Sequence, residues 1–132
     1  MKETIKPEHQ LILVETFELV RTIDEYEAAV KAFCQRVEQD GLSGVRIMQH
    51  YISRQRNEAF VILIFKDASV FEKHLGFISQ LDELSPFSNT VRLKEITAFG
   101  CMNEEQKEML EKADFHFKLM NEHVAGFVRS EK

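Results

Sequence analysis

The chain has 132 residues, 44% of them apolar and 30% charged, which suits one globular domain with a real core and excludes a disordered segment. A net charge of −5 without a clustered basic stripe argues against nucleic acid as a partner, and no run of roughly 18 or more apolar residues offers a membrane span. Eleven phenylalanines, two tyrosines and no tryptophan place most aromatic surface in core or interface, because a phenyl ring has no polar end to keep wet.

Residues 1–10 are polar, contain Pro7 and lack the apolar centre of a signal peptide, so they read as a loose lead-in. Leu11, Ile12, Leu13 and Val14 then form an apolar run, which predicts a strand over 11–18 that starts deep in a sheet and ends half polar at Glu15, Thr16 and Glu18. Asp24 with Glu27 three residues on predicts a capped helix start, and Tyr26, Ala29, Val30, Phe33 and Val37 recur at helical spacing. Gly41 and Gly44 turn the chain into a second strand over 45–54, with Ile47, Gln49 and Tyr51 on one face and Met48, His50 and Ile52 on the other. Both faces mix polar with apolar positions, as a pocket wall or an interface would.

After a polar hairpin turn, residues 60–65 are uninterrupted Phe, Val, Ile and Leu, which predicts a strand buried on both sides. Asp67 caps a second helix with Val70, Phe71, His74, Leu75, Ile78 and Leu81 along its apolar stripe. Ser85–Pro86 and Ser88–Asn89 read as a break, and residues 91–99 alternate as a fourth strand ending at Gly100. Beyond it, Asn103 with Gln106 is a further cap for a helix carrying Met109, Leu110 and Ala113. Past Asp114 the period fits helix or strand, and residues 124–128 read as a short terminal strand.

The order strand, helix, strand, strand, helix, strand is the α+β, ferredoxin-like βαββαβ arrangement. It divides the chain into a lead-in at 1–10, a ferredoxin-like domain at 11–100 and an extension at 101–132 expected to pack on the domain or on a partner. One such unit covers only one face of an antiparallel sheet with helices. The doubly apolar strand at 60–65 therefore calls for a cover on its other side, and a large open apolar face is rare in a monomer.

With the strand at 11–18, the turn and strand entry at Gly41, Gly44 and Val45, the run from Val61 to Asp67, and the helix entry leading to His74, the chain resembles the dimeric α+β barrel superfamily, and within it the antibiotic-biosynthesis-monooxygenase-like domains. The resemblance implies a homodimer in which open sheets pack together. It also implies a cofactor-independent monooxygenase acting on a small hydroxylated aromatic or quinol. The alternative is a non-catalytic small-ligand-binding or stress-responsive dimer. Haem-degrading members of the superfamily use an Asn on the first strand and a Trp and a His on the second helix. Here no Asn lies in 11–18, the chain has no Trp, His74 falls near their Trp and Leu84 at their His, so haem degradation is not expected.

The resemblance makes His74 the candidate catalytic base beside the pocket, with Tyr51 as a second catalytic contact, His50 nearby, and Phe65 and Phe71 as apolar walls for a flat aromatic or quinone-like ligand. Arg54 and Arg92 are candidate substrate-binding cations for an anionic oxygen. Their alternatives are a packing histidine at position 74, a solvated hairpin end at Arg54, and a pair between Arg92 and Glu18 or Glu95. No two of the five histidines have the i, i+4 spacing of a helical metal pair, so no metal is expected. No glycine-rich phosphate loop is present, so no cofactor is expected. Cys34 and Cys101 stand alone, without metal or redox spacing, which suits a reducing cytoplasm rather than a disulfide framework.

Overall fold

The computed structural model describes residues 9–129, and most of the lead-in lies outside them. The elements run β1 (Leu11–Leu19), α1 (Ile23–Asp40), β2 (Val45–Ser53), β3 (Glu58–Phe65), α2 (Ala68–Ile78), α3 (Leu84–Ser88), β4 (Val91–Gly100), α4 (Glu104–Glu111) and β5 (His116–Met120). The first four strands are antiparallel, β5 joins parallel to β4, and the sheet order is β2-β3-β1-β4-β5. This is the α+β, ferredoxin-like fold expected of βαββαβ order.

β1 sits in the middle, with Leu11, Leu13, Phe17 and Leu19 buried under the helices. β3 alternates in the same way: Ala59, Val61, Leu63 and Phe65 are buried on the helix side, while Phe60, Ile62 and Ile64 are half-buried on the other. The helices supply Tyr26, Val30, Phe33 and Val37 from α1, and Phe71 and His74 from α2.

Three local features differ from the sequence reading. α1 starts two residues earlier, because Thr22 and Glu25, not Asp24 and Glu27, exchange the reciprocal capping bonds. The expected break around Pro86 is the helix α3, since a proline in a first turn forfeits no intrahelical hydrogen bond. α3 carries Phe87, whose ring stacks on Phe33 at 5.1 Å and meets Phe17 edge-on at 6.0 Å. The terminal strand is β5 at His116–Met120, while residues 124–128 form none.

The α2 and α4 starts follow their caps: Asp67 Oδ1 accepts from the Val70 amide at 3.0 Å, and Asn103 and Gln106 cap one another. Gln106 also donates through Nε2 to the Ala68 carbonyl at 2.8 Å, tying α4 to the first turn of α2. At the end of β4, a β-carbon on Gly100 would stand 2.1 Å from the Gln10 carbonyl oxygen, and its φ of +114° is one that glycine tolerates.

Candidate functional site

Between the sheet and the helix layer lies a cavity of about 280 Å³. Its floor is Leu13, Glu15 and Phe17 of β1, Met48 and His50 of β2, Val61 and Leu63 of β3, and Leu93 and Ile96 of β4. Phe71, His74, Leu75 and Ile78 of α2 form one wall, with Phe87 of α3 and Leu110 of α4 closing others. Only three lining residues carry ionisable side chains: Glu15, His50 and His74. The rest of the lining is hydrocarbon, phenyl ring and methionine.

Register explains how two of the three meet. His50 pairs with Val61, and Val61 pairs with Glu15, so the three form one row across β2, β3 and β1. Period-2 alternation then sends all three side chains to the helix side. His74 comes from above, on the buried stripe of α2, with its ring 5.4 Å from Phe65. His50 lies edge-on to Phe87 at 5.6 Å.

The environment sets their charge. Burial pushes the Glu15 carboxyl up to about 7 and both imidazoles, His50 and His74, down to about 4. Near neutral pH both imidazoles are therefore uncharged, and Glu15 is divided between acid and carboxylate. Nε2 of His50 and Nδ1 of His74 are buried with no hydrogen-bond partner among the described residues. A buried polar atom left unpaired costs about 1–3 kcal/mol. Two such atoms border this one cavity. Among the described residues no group of His, Cys, Asp and Glu is arranged to hold a metal ion.

The cavity assembles the residues expected from sequence only in part. His74 and Phe71 line it, and Phe65 is fully buried behind His74. Tyr51 does not reach it. Next to His50 on β2, it points to the opposite face and is 56% exposed. Arg54 stands at the hairpin end, exposed and 3.1 Å from Glu27. Arg92 pairs with Glu18 across β4 and β1, also in solvent. Neither arginine lines the cavity. The sequence carries a signal for Glu15 at the cavity: it interrupts the Leu11, Leu13, Phe17, Leu19 series on the buried face of a central strand.

The sheet, the helix layer and the cavity between them form an α+β, ferredoxin-like subunit whose fold is shared with solved structures that include a cofactor-independent oxygenase and a protein provisionally described as an antibiotic biosynthesis monooxygenase. No protein-family model and no curated protein matches the chain. Among solved structures, MupZ from Pseudomonas fluorescens superposes with a TM-score of 0.71 at 16% identity, covering 92% of this chain and 95% of its own. SnoaB from Streptomyces nogalater, a cofactor-independent oxygenase, superposes with a TM-score of 0.60 at 14% identity, covering 72% and 95%. A Caulobacter crescentus CB15 protein, provisionally described as an antibiotic biosynthesis monooxygenase, gives 0.58 at 12% identity, covering 74% and 93%. At these identities the likeness is one of fold.

Proposed function

We propose that the protein is a cofactor-independent monooxygenase acting on a small hydroxylated aromatic or quinol held in the cavity. The observation that carries this reading is the buried, uncharged His74 imidazole, with Nδ1 unpartnered on an apolar cavity. A neutral imidazole in a dry site accepts a proton from a weakly acidic hydroxyl or ring methylene. The resulting anion gives electrons to dioxygen, a C–O bond forms, and the peroxide loses water to leave a carbonyl. The balance is CH2 plus O2 to C=O plus H2O, with no other reductant. SnoaB, a fold neighbour described as such an oxygenase, supports the reading.

A non-catalytic ligand-binding role is the second reading, and one observation favours it. Among the described residues no cation lines the cavity to hold the substrate anion, and Arg54 and Arg92 are in solvent ion pairs. Oxygen-electrode assays with 1,4-dihydroxynaphthalene separate the two. The oxygenase reading expects protein-dependent oxygen uptake that falls about 10²-fold in His74→Ala, the usual worth of a general base. Saturable binding without uptake assigns the binding role.

The reading includes a homodimer. Val14, Phe60, Ile62, Ile64, Ile47 and Tyr51 occupy the face turned away from the helices, and a second copy is the cover proposed for it. Residues 101–132 belong to the same proposal. Val124 and Phe127 are 90% and 78% exposed beside Ile12 and Phe99, where a partner would bury them. A reducing cytoplasm is the compartment proposed. Among the described residues, no helix is long and apolar enough to cross a membrane.

A further inference from the structure

We propose that Glu15 and His50, facing each other across Val61, form an acid–base pair that moves protons on a neutral cyclic ketone without oxygen. This rests on the reading that the cavity takes a flat apolar ligand, but not on its reaction with dioxygen.

The spacing comes from the sheet. Glu15 and His50 stand two strands apart, so their backbones are separated by about 10 Å, with only the short Val61 side chain between them. One ring fits over that gap with an edge toward each group. Among the described residues no lysine, arginine, hydroxyl or amide side chain lines the cavity, so a carboxylate ligand would meet Glu15 without a compensating cation. The ligand that fits is uncharged, apolar in body, and carries a carbonyl at one edge.

The chemistry is a proton transfer that balances by itself. Nε2 of His50, buried and unpartnered, takes a proton from the carbon beside the carbonyl. The Glu15 carboxyl gives its proton to the carbonyl oxygen, and the ketone becomes its enol. Reversal returns a proton to carbon, and in D2O that proton is deuterium. No electron leaves the substrate. Glu15 has no ion pair or hydrogen bond among the described residues, so its proton is available to a ligand.

The test is deuterium incorporation at C1 of 2-tetralone, followed by NMR under anaerobic conditions with the intact protein. The proposal expects exchange well above the buffer rate, reduced about 10²-fold in both Glu15→Gln and His50→Gln. Among the described residues, Glu15, His50 and His74 are the only ionisable groups facing the cavity. The rate should therefore fall on the alkaline side near 7, as Glu15 loses its proton, and on the acid side near 4, as the imidazoles charge. The alkaline limb should vanish in Glu15→Gln if that variant keeps its fold by circular dichroism, a change that a purely structural role would not produce. Exchange at the buffer rate overturns the proposal, as does exchange that both variants retain, or absence of 2-tetralone binding by saturation-transfer NMR. Oxygen uptake in the earlier assay without exchange here sinks this inference alone. Exchange without any oxygen uptake supports it while removing the oxygenase reading.

Discussion

Burial shifts the Glu15 carboxyl well above its ordinary value, which makes a pH-dependent prediction. Its folded-state value lies above the ordinary 4.5, so the fold holds its proton more tightly than the unfolded chain does. That contribution is complete below 4.5 and disappears as pH rises toward 7, at a cost of about 3 kcal/mol. His50 and His74 have the opposite sign. Their values lie below 6.5, so they contribute fully above 6.5 and lose their contribution as pH falls toward 4. Between 4.5 and 6.5 one effect offsets part of the other. Glu15→Gln should therefore steepen the rise of stability over that range and gain up to about 3 kcal/mol relative to wild type between pH 5 and pH 8. Urea midpoints at the two pH values check it; an equal difference at both would show that Glu15 is not held in a desolvated site. At this scale the sequence reading reached only some of the residues that line the cavity, His74 and Phe71 among them. His74 stood out because helical periodicity turns it inward. Tyr51 lies off the cavity because a strand alternates, and its neighbour one position along, His50, takes the inward face.

Elements were easier to read than residues, because capping and periodicity are local. Asp67 and Asn103 begin helices as their side chains dictate. The exceptions have local causes too. Thr22, not Asp24, caps α1, and Pro86, a residue that breaks helix interiors, stands in the first turn of α3, where it is tolerated. What no local pattern could disclose is where α4 docks. Gln106 is 6% exposed, and its side-chain amide serves both the α4 cap and the Ala68 carbonyl of α2. Gln106→Leu keeps most of the volume and leaves both groups unpaired. It should destabilise the fold by about 1–3 kcal/mol, read as a lower urea midpoint with little change in slope. An unchanged midpoint would mean that apolar packing through Leu110 alone holds α4.

At the scale of the whole molecule, the two faces of the sheet have different fates. One is closed by helices over the cavity; the other keeps Ile47 and Tyr51 at 40% and 56% exposure in the single chain. The proposed homodimer predicts a sedimenting species of twice 15.4 kDa at micromolar concentration. Ile62→Lys, at the centre of the open face, should shift it to monomer while leaving the fold intact by circular dichroism. A wild-type monomer at that concentration would overturn the dimer. The central place of β1 has a further consequence, in time rather than in space. It is the earliest strand of the chain, yet both its hydrogen-bonding neighbours, β3 and β4, come much later, at Glu58–Phe65 and Val91–Gly100. On the ribosome, one edge of Leu11 to Val14 must wait until β3 has emerged at residue 65 and the other until β4 has emerged at residue 100, so a nascent chain carries an incompletely paired, sticky strand for much of its synthesis. Slow, non-local closure is the expected folding regime, and a leading strand whose two neighbours are made later is where a chaperone would be most needed.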